Sequence, residues 1–268
     1  MTVRTWLRRW RDARTLEKRA IPDALWRLTL ARFPFLAYRS DTDVERLRNM
    51  ATLFLARKEF TGAHGLTVDD AMAVAIAAQA CVPVLELGLA WYDGFIGIVV
   101  HADAVVAQRE VVDDAGVVHH YEEELSGEAM QGGPVMLSWS DVDEAGESAE
   151  VGYNVVIHEF AHVLDMRDGR ADGIPPLADR RARDAWHRVL WAEYDAFCDR
   201  TAVRDDTLLD PYAAQAPEEF FAVCAEAFFV APRDFLAEHA PMYALLRGFF
   251  KQDPAAHVQE SIGASMHP

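Results

Sequence analysis

The sequence predicts an α+β fold: a helical N-terminal part, a small and mainly antiparallel sheet, then a second helical half. Three observations carry that expectation. Apolar residues recur at helical spacing through residues 21–81, short β-rich runs replace them between 95 and 140, and helical spacing returns from Val155. A chain of 268 residues, 51% hydrophobic and 10% aromatic, can bury a sizeable core. The organisation expected is a basic segment at 1–20, one domain over 21–254, and a pattern-poor, mobile tail at 255–268.

Within residues 1–20, seven basic side chains outweigh Asp12 and Glu17, a local excess of five positive charges. With Trp6, Leu7 and Trp10 this segment reads as a solvated helix or tail that could touch an acidic partner or a membrane surface. No apolar run follows it, so no signal peptide is expected. Pro22 opens a helix through Ala31, and Pro34 ends it. Asp41 to Phe60 has a helical core stripe of Val44, Leu47, Met50, Leu53, Phe54 and Leu55. A turn at Thr61–Gly65 follows, and Thr67-Val68-Asp69-Asp70 has the form of a capping box before an Ala-rich helix from Ala71 to about Cys81. The apolar run from Ala71 to Leu85 is broken by Gln79 and Pro83. It is shorter than the roughly 20 residues a membrane span needs, so a buried helix is expected and no membrane partner.

From Val82 the period changes. Phe95–Val100, Ala104–Val112 and Val117–Leu125 read as strands, with a turn at Asp113–Gly116. Gly132-Gly133-Pro134 precedes another short strand at Val135–Ser140. A strand just ahead of the next helix is where an extended peptide could add itself, although the run also suits an ordinary edge or core strand. Asp141 to Glu150 is acidic and expected to be exposed.

The net charge of −17 excludes nucleic acid as a natural partner, since phosphate binding needs a basic surface. Cys81, Cys198 and Cys224 are odd in number, widely spaced and set in apolar or helical contexts. They read as reduced thiols, which points to the cytoplasm.

The stretch Val155–Asp165 carries the chemistry. It contains His158-Glu159-Phe160-Ala161-His162, with Val155, Val156, Phe160, Val163 and Leu164 at helical spacing. On a helix the two histidines project from one face a turn apart, the separation a single Zn²⁺ requires. Glu159 is rotated about 100° from His158, so it can reach a water at the metal without competing for the metal. Three fixed positions also arise by chance, and a structural histidine pair has the same spacing. A third ligand decides between them.

Asp168-Gly169-Arg170-Ala171-Asp172-Gly173 resembles a calcium loop in composition but fails the EF-hand spacing, so turns are expected. Arg180 to Arg200 forms a long helix. In Pro217-Glu218-Glu219-Phe220-Phe221, the proline opens another helix and both acids suit its dipole. Glu219 and Glu226, seven apart, share a face among aromatic residues, where buried acids want a cation or hydrogen bonds. Glu218, Glu219 and Glu226 are all candidates for the third ligand. Two histidines and one glutamate would leave a fourth zinc position for water. Glu159 would take that water's proton as attack on a peptide carbonyl begins, and Tyr212 could donate to the developing oxyanion or simply pack.

The chain resembles the Mlc titration factor A family of zinc peptidases. The similarity is carried by Arg46-Leu47-Arg48, Ile76–Cys81, Leu87-Gly88-Leu89-Ala90-Trp91-Tyr92, the His158–His162 motif with Leu164-Asp165, Tyr212-Ala213-Ala214 and Pro217–Ala222. Around the metal this family is similar to the catalytic domain of anthrax lethal factor. The resemblance implies a zincin-like metallopeptidase fold and a zinc held by His158, His162 and Glu219, with Glu159 as base. A tyrosine seven residues before the glutamate ligand matches Tyr212. Asp165 and Glu226 become candidates to hold a ligand imidazole. Peptides are the implied substrates, with aminopeptidase-like action among the possibilities. A repressor of the Mlc type is the implied partner, and sequestering it, with zinc structural or vestigial, is the alternative role.

Overall fold

The computed structural model describes residues 3–112, 118–145, 152–203 and 206–258, with side chains at all of these except 3–7 and 106–125. The expected turn at 113–116, the acidic residues 146–150, the side chains of Trp6 and Leu7 and the last ten residues of the tail lie outside them. The fold is α+β.

The N-terminal half is built from four helices: α1 (Val3–Arg19), α2 (Asp23–Arg32), α3 (Asp41–Leu55) and α4 (Asp70–Cys81). The basic segment forms α1, which is tied to the body by Arg57 on Asp12 at 2.7 Å and by Arg8 near Asp93 at 3.7 Å. Helix α4 starts on Asp69, whose side chain accepts from the Met72 N–H at 2.9 Å; Thr67 is not the cap. Helix α3 is shorter than its periodicity suggests. It ends at Leu55, Lys58 donates to the carbonyls of Tyr92 and Phe95, and the chain enters strand β1 (Glu59–Gly62). A four-residue strand after a helix has no period of its own to betray it; its pairing partner lies almost forty residues on.

Strands β2 (Gly97–His101), β5 (Gly127–Ala129) and β6 (Val135–Ser138) complete a four-stranded sheet in the order β1-β2-β6-β5. Contrary to the mainly antiparallel expectation, this sheet is mixed. β1 runs parallel to β2 (Glu59 opposite Gly97), β2 parallel to β6 (Ile98 opposite Val135), and only β5 runs antiparallel to β6. The reason is α4, which carries the chain back across the sheet between β1 and β2, so the two strands start from the same end. Strands β3 (Val105–Val112) and β4 (Val118–Leu125), expected within the sheet, instead pair antiparallel as a separate ribbon.

After β6 the chain turns into α5 (Trp139–Glu144), with Ser138 as its cap and Val142 buried, so the acidic stretch begins as a packed helix. Five helices follow: α6 (Val155–Asp165), α7 (Arg180–Ala202), α8 (Pro217–Val230), α9 (Pro232–Glu238) and α10 (Ala240–Phe250). Every residue of α8 from Phe220 to Val230 is buried, as befits a helix apolar on all sides. It packs against α6, α7, α9 and α10, with Trp186 on Phe221 and Phe228 on Phe250. Phe160 of α6 meets Phe54, Tyr92 and Phe95 at 5.0–5.8 Å between ring centres, which locks α6 to the N-terminal half. One hydrophobic core runs from Ile21 to Ala255. Ala255 itself is buried, and its N–H donates to the Tyr243 hydroxyl at 3.0 Å.

Candidate metal centre

Helix α6 starts on Asn154, whose side-chain oxygen accepts the Ile157 N–H at 2.9 Å. Val155, Val156, Ile157, Phe160, Ala161 and Leu164 bury the other faces, which leaves His158 and His162 side by side with their Nε2 atoms 3.2 Å apart. Pro217 opens α8 against this face and brings Glu219 to it. Glu219 Oε2 lies 3.1 Å from His158 Nε2 and 3.3 Å from His162 Nε2. Among the described residues this trio is the one His/Cys/Asp/Glu group placed to share an ion. Three atoms bound tetrahedrally to zinc at about 2.0–2.1 Å would stand roughly 3.3 Å apart, so the observed spacing fits. Glu218 is not part of the group, and Glu226 reaches the other nitrogen of His158.

That second contact sets the ring. Glu226 Oε1 sits 2.7 Å from His158 Nδ1, and its other oxygen accepts the backbone N–H of Asn154. The Asn154 amide in turn donates to Gln79 Oε1 at 2.6 Å. An Nδ1 proton directed at Glu226 leaves the Nε2 lone pair facing Glu219. Burial pushes the Glu226 carboxyl up, with the His158 contact pulling the other way. Burial alone would lower the His158 pKa, yet Glu219 and Glu226 together hold it well above the usual histidine value. Burial would likewise raise Glu219, but hydrogen bonds from both histidines bring it far below the usual carboxylate range. The trio favours positive charge at its centre; a proton supplies one unit, and a divalent ion would supply two.

Asp165 does not hold an imidazole. Its Oδ2 accepts the Gly173 N–H at 2.8 Å while Oδ1 has no hydrogen-bond partner, and burial pushes its carboxyl up to about 7. Gly173, at φ +72°, lies against the start of α8: an added Cβ would stand 2.6 Å from the Pro217 carbonyl oxygen. Trp186 donates to the Gly173 carbonyl at 2.9 Å. Asp165 therefore fixes the loop on which the Glu219 helix begins. In the same loop Asp168 and Asp172 both pair with Arg183, as turns rather than a calcium site would have them.

Glu159 is buried, and its Oε2 has no hydrogen-bond partner. Burial raises its pKa, with the two histidines opposing the rise. Its side chain lies close against Gly127 of β5, where a Cβ would come within 2.5 Å of Oε1. Gly127 and Asn154 escaped the sequence reading, and Gln79 entered it only as a break in an apolar run and part of a matched motif. The signals were a glycine beside a strand, which marks close approach, and a lone polar residue in an Ala-rich helix. Tyr212 sits in a short helical turn (Pro211–Ala214) held by Asp210, which accepts the Tyr212 N–H at 2.8 Å. Its ring centre is 6.1 Å from that of His158, on the wall of a cavity of about 520 Å³ that also borders Glu159 and Gly127.

The family model for the glucose-regulated metallo-peptidase M90 matches residues 7–251. This chain belongs to the M90 family. Relatives within it include Mlc titration factor A of Klebsiella pneumoniae subsp. pneumoniae, 36% identical over 239 residues, which are 88% of this chain and 89% of the relative. Mlc titration factor A of Edwardsiella ictaluri is 38% identical over 232 residues, 85% and 87% of the two chains. An uncharacterized protein of Synechocystis is 33% identical over 247 residues, 91% and 89%. A metallopeptidase family implies a metal, and the M90 chain offers the trio above for it. No helix among its described residues is long and apolar enough to cross a membrane.

Proposed function

We propose that this M90 chain is a zinc-dependent peptidase in which His158, His162 and Glu219 hold the ion and Glu159 is the general base. The observation that carries the proposal is three donor atoms 3.1–3.3 Å apart with the unpartnered Glu159 oxygen beside them. Zinc at this point would bring the pKa of water to about 7 and polarise a carbonyl. Glu159 takes the proton as the water attacks and returns it to the leaving amine; a raised carboxyl pKa suits both halves of that task. Glu226 keeps the His158 lone pair directed at the ion. Tyr212 turns its hydroxyl toward the carbonyl oxygen as negative charge develops there.

The peptide binds along β5. Strand β6 lies between β2 and β5, so the strand ahead of α6 is interior, and among the described residues β5 is the edge strand nearest Glu159. Among the described residues no lysine or arginine lines the adjoining cavity, whereas Asp210 does. A substrate α-amine finds a counter-charge there and an α-carboxylate does not, which favours aminopeptidase-like over carboxypeptidase-like action. Two buried thiols, Cys81 and Cys224, suit a reducing cytoplasm.

The test is metal content together with cleavage of peptides with free and blocked N-termini. About one zinc per chain and cleavage that Glu159→Gln abolishes while keeping the zinc is the expected result. Parental cleavage by Glu159→Gln would overturn the role of the base. A second reading, sequestration of an Mlc-type repressor, is favoured by the relatives' name, titration factor. It expects a purified repressor of that type to bind Glu159→Gln as tightly as the parent, and no binding to either would dismiss it.

A further inference from the structure

The cavity beside Glu159 has a composition that the hydrolytic step does not explain. It extends away from the Nε2 atoms, between the first turns of α6, the segment before Tyr212 and the second half of α8. Its walls are Val155, Leu208, Leu209, Val223 and Ala227. Its polar atoms are largely engaged with each other. Both oxygens of Glu226 are occupied by His158 and Asn154, the Tyr153 hydroxyl faces Asp141 at 3.4 Å, and Asp210 holds the Tyr212 N–H. Apart from the Glu159 carboxylate and the charge of Asp210, the cavity presents to an entering group an apolar wall and the face of a tyrosine ring.

Its floor is deep because it is made of small residues. Gly152 has φ +83°, a conformation that side-chain-bearing residues rarely adopt, and the place where its Cβ would be is 3.8 Å from Ala227. A larger residue at 227 would fill the volume from below. At about 520 Å³ the cavity lies within the range of small-molecule pockets, roughly 300–1,000 Å³, and has room for the largest side chains.

We infer that this cavity is a specificity pocket that takes a large apolar side chain, leucine- or phenylalanine-like, from the residue next to the bond being cut, with Ala227 setting its depth and Leu208 its polarity. The inference rests on the peptidase reading for the identity of the ligand. An acidic side chain is disfavoured, since Glu159, Asp210 and Glu226 border the cavity and no cation lines it among the described residues.

The experiment measures the affinity of the zinc-loaded protein for peptide hydroxamates that differ in one flanking side chain: Ala, Leu, Phe, Lys or Asp. The same series, as peptides, is assayed for turnover. The parent should bind the Leu and Phe members at least about 10-fold tighter than the Ala member, with Asp weakest, because differences of one or a few methylenes in an apolar pocket are worth roughly 10- to 200-fold. Ala227→Leu should bring the Phe/Ala ratio down about 10-fold or more. Leu208→Asp, on a half-buried segment less exposed to folding failure, should shift preference toward Lys. A parent that treats Ala and Phe alike, or a preference that survives both substitutions, overturns the pocket. A parent that ranks the hydroxamates but cleaves no peptide keeps the pocket and loses the peptidase reading; one that cleaves every peptide equally does the reverse; one that binds none loses both.

Discussion

Two sides of the metal centre, the Nδ1 side of His158 at the rear and the Glu159 side at the front, differ in how fully their polar atoms are engaged. At the rear, Glu226, Asn154 and Gln79 form an unbroken hydrogen-bonded chain from the His158 ring to α4. At the front, Glu159 is equally buried yet leaves one oxygen without a partner. A carboxylate with both oxygens hydrogen-bonded is fixed in place, so it positions. One with an unpartnered oxygen is the better placed to take and release a proton, so it reacts. The contrast separates two glutamates of similar burial, and both with raised pKa, into a holder and a base.

Removing an ion-facing group should have the largest effect. Glu219→Ala is expected to weaken zinc binding by more than the roughly 10- to 100-fold typical of losing a supporting partner, while Glu218→Ala leaves it at the parental value. A chelator competition reads both, and equal losses would mean that the trio does not act as a unit. Next comes the rear. Glu226→Gln keeps an acceptor for the His158 N–H but removes its charge, so a weakening of about 10-fold is expected in the same titration. Parental affinity would show that shape, not charge, holds the ring.

A smaller loss is expected from Asn154→Ala, which removes the α6 cap and leaves the Gln79 oxygen buried without its donor. The cap alone is worth about 1 kcal/mol, measurable as a shift in denaturation midpoint. An unchanged midpoint would deny Asn154 its structural part.

The smallest effect is a slope. Burial pushes the Asp165 carboxyl up to about 7 from its ordinary value of 3.8, so the folded chain binds the extra proton. Its contribution to stability is therefore greatest at low pH, declines as pH rises from about 4 to 7, and is level above that. Asp165→Asn removes this decline, so its stability relative to the parent should improve between pH 5 and pH 8. A difference that does not vary over that window would place the carboxyl pKa elsewhere.

Several features were readable because they are local. His158 and His162 are one helical turn apart by covalent geometry, so their convergence follows from the spacing alone, and Pro217 marks the start of α8 by its missing N–H. The run after Glu219, apolar but for Glu226, announced a buried helix. Other features needed the fold. The parallel pairing of β1, β2 and β6 could not be read, because strand direction depends on where α4 crosses, and β1 is four residues without a period. The family resemblance made Asp165 a candidate partner for an imidazole, but its carboxyl meets the Gly173 N–H instead.

The sequence by itself determined the chemistry available: two imidazoles on one face, a glutamate beside them, and acids two turns apart on a second helix. It could do so because helical periodicity is a property of neighbouring residues. Only the tertiary structure decided which acid does what, since the contacts that choose Glu219 for the Nε2 side, Glu226 for Nδ1 and Gln79 for Asn154 join residues 61, 68 and 75 positions apart. Such contacts depend on how α4, α6 and α8 stack around one apolar core, and that packing is a property of the whole chain.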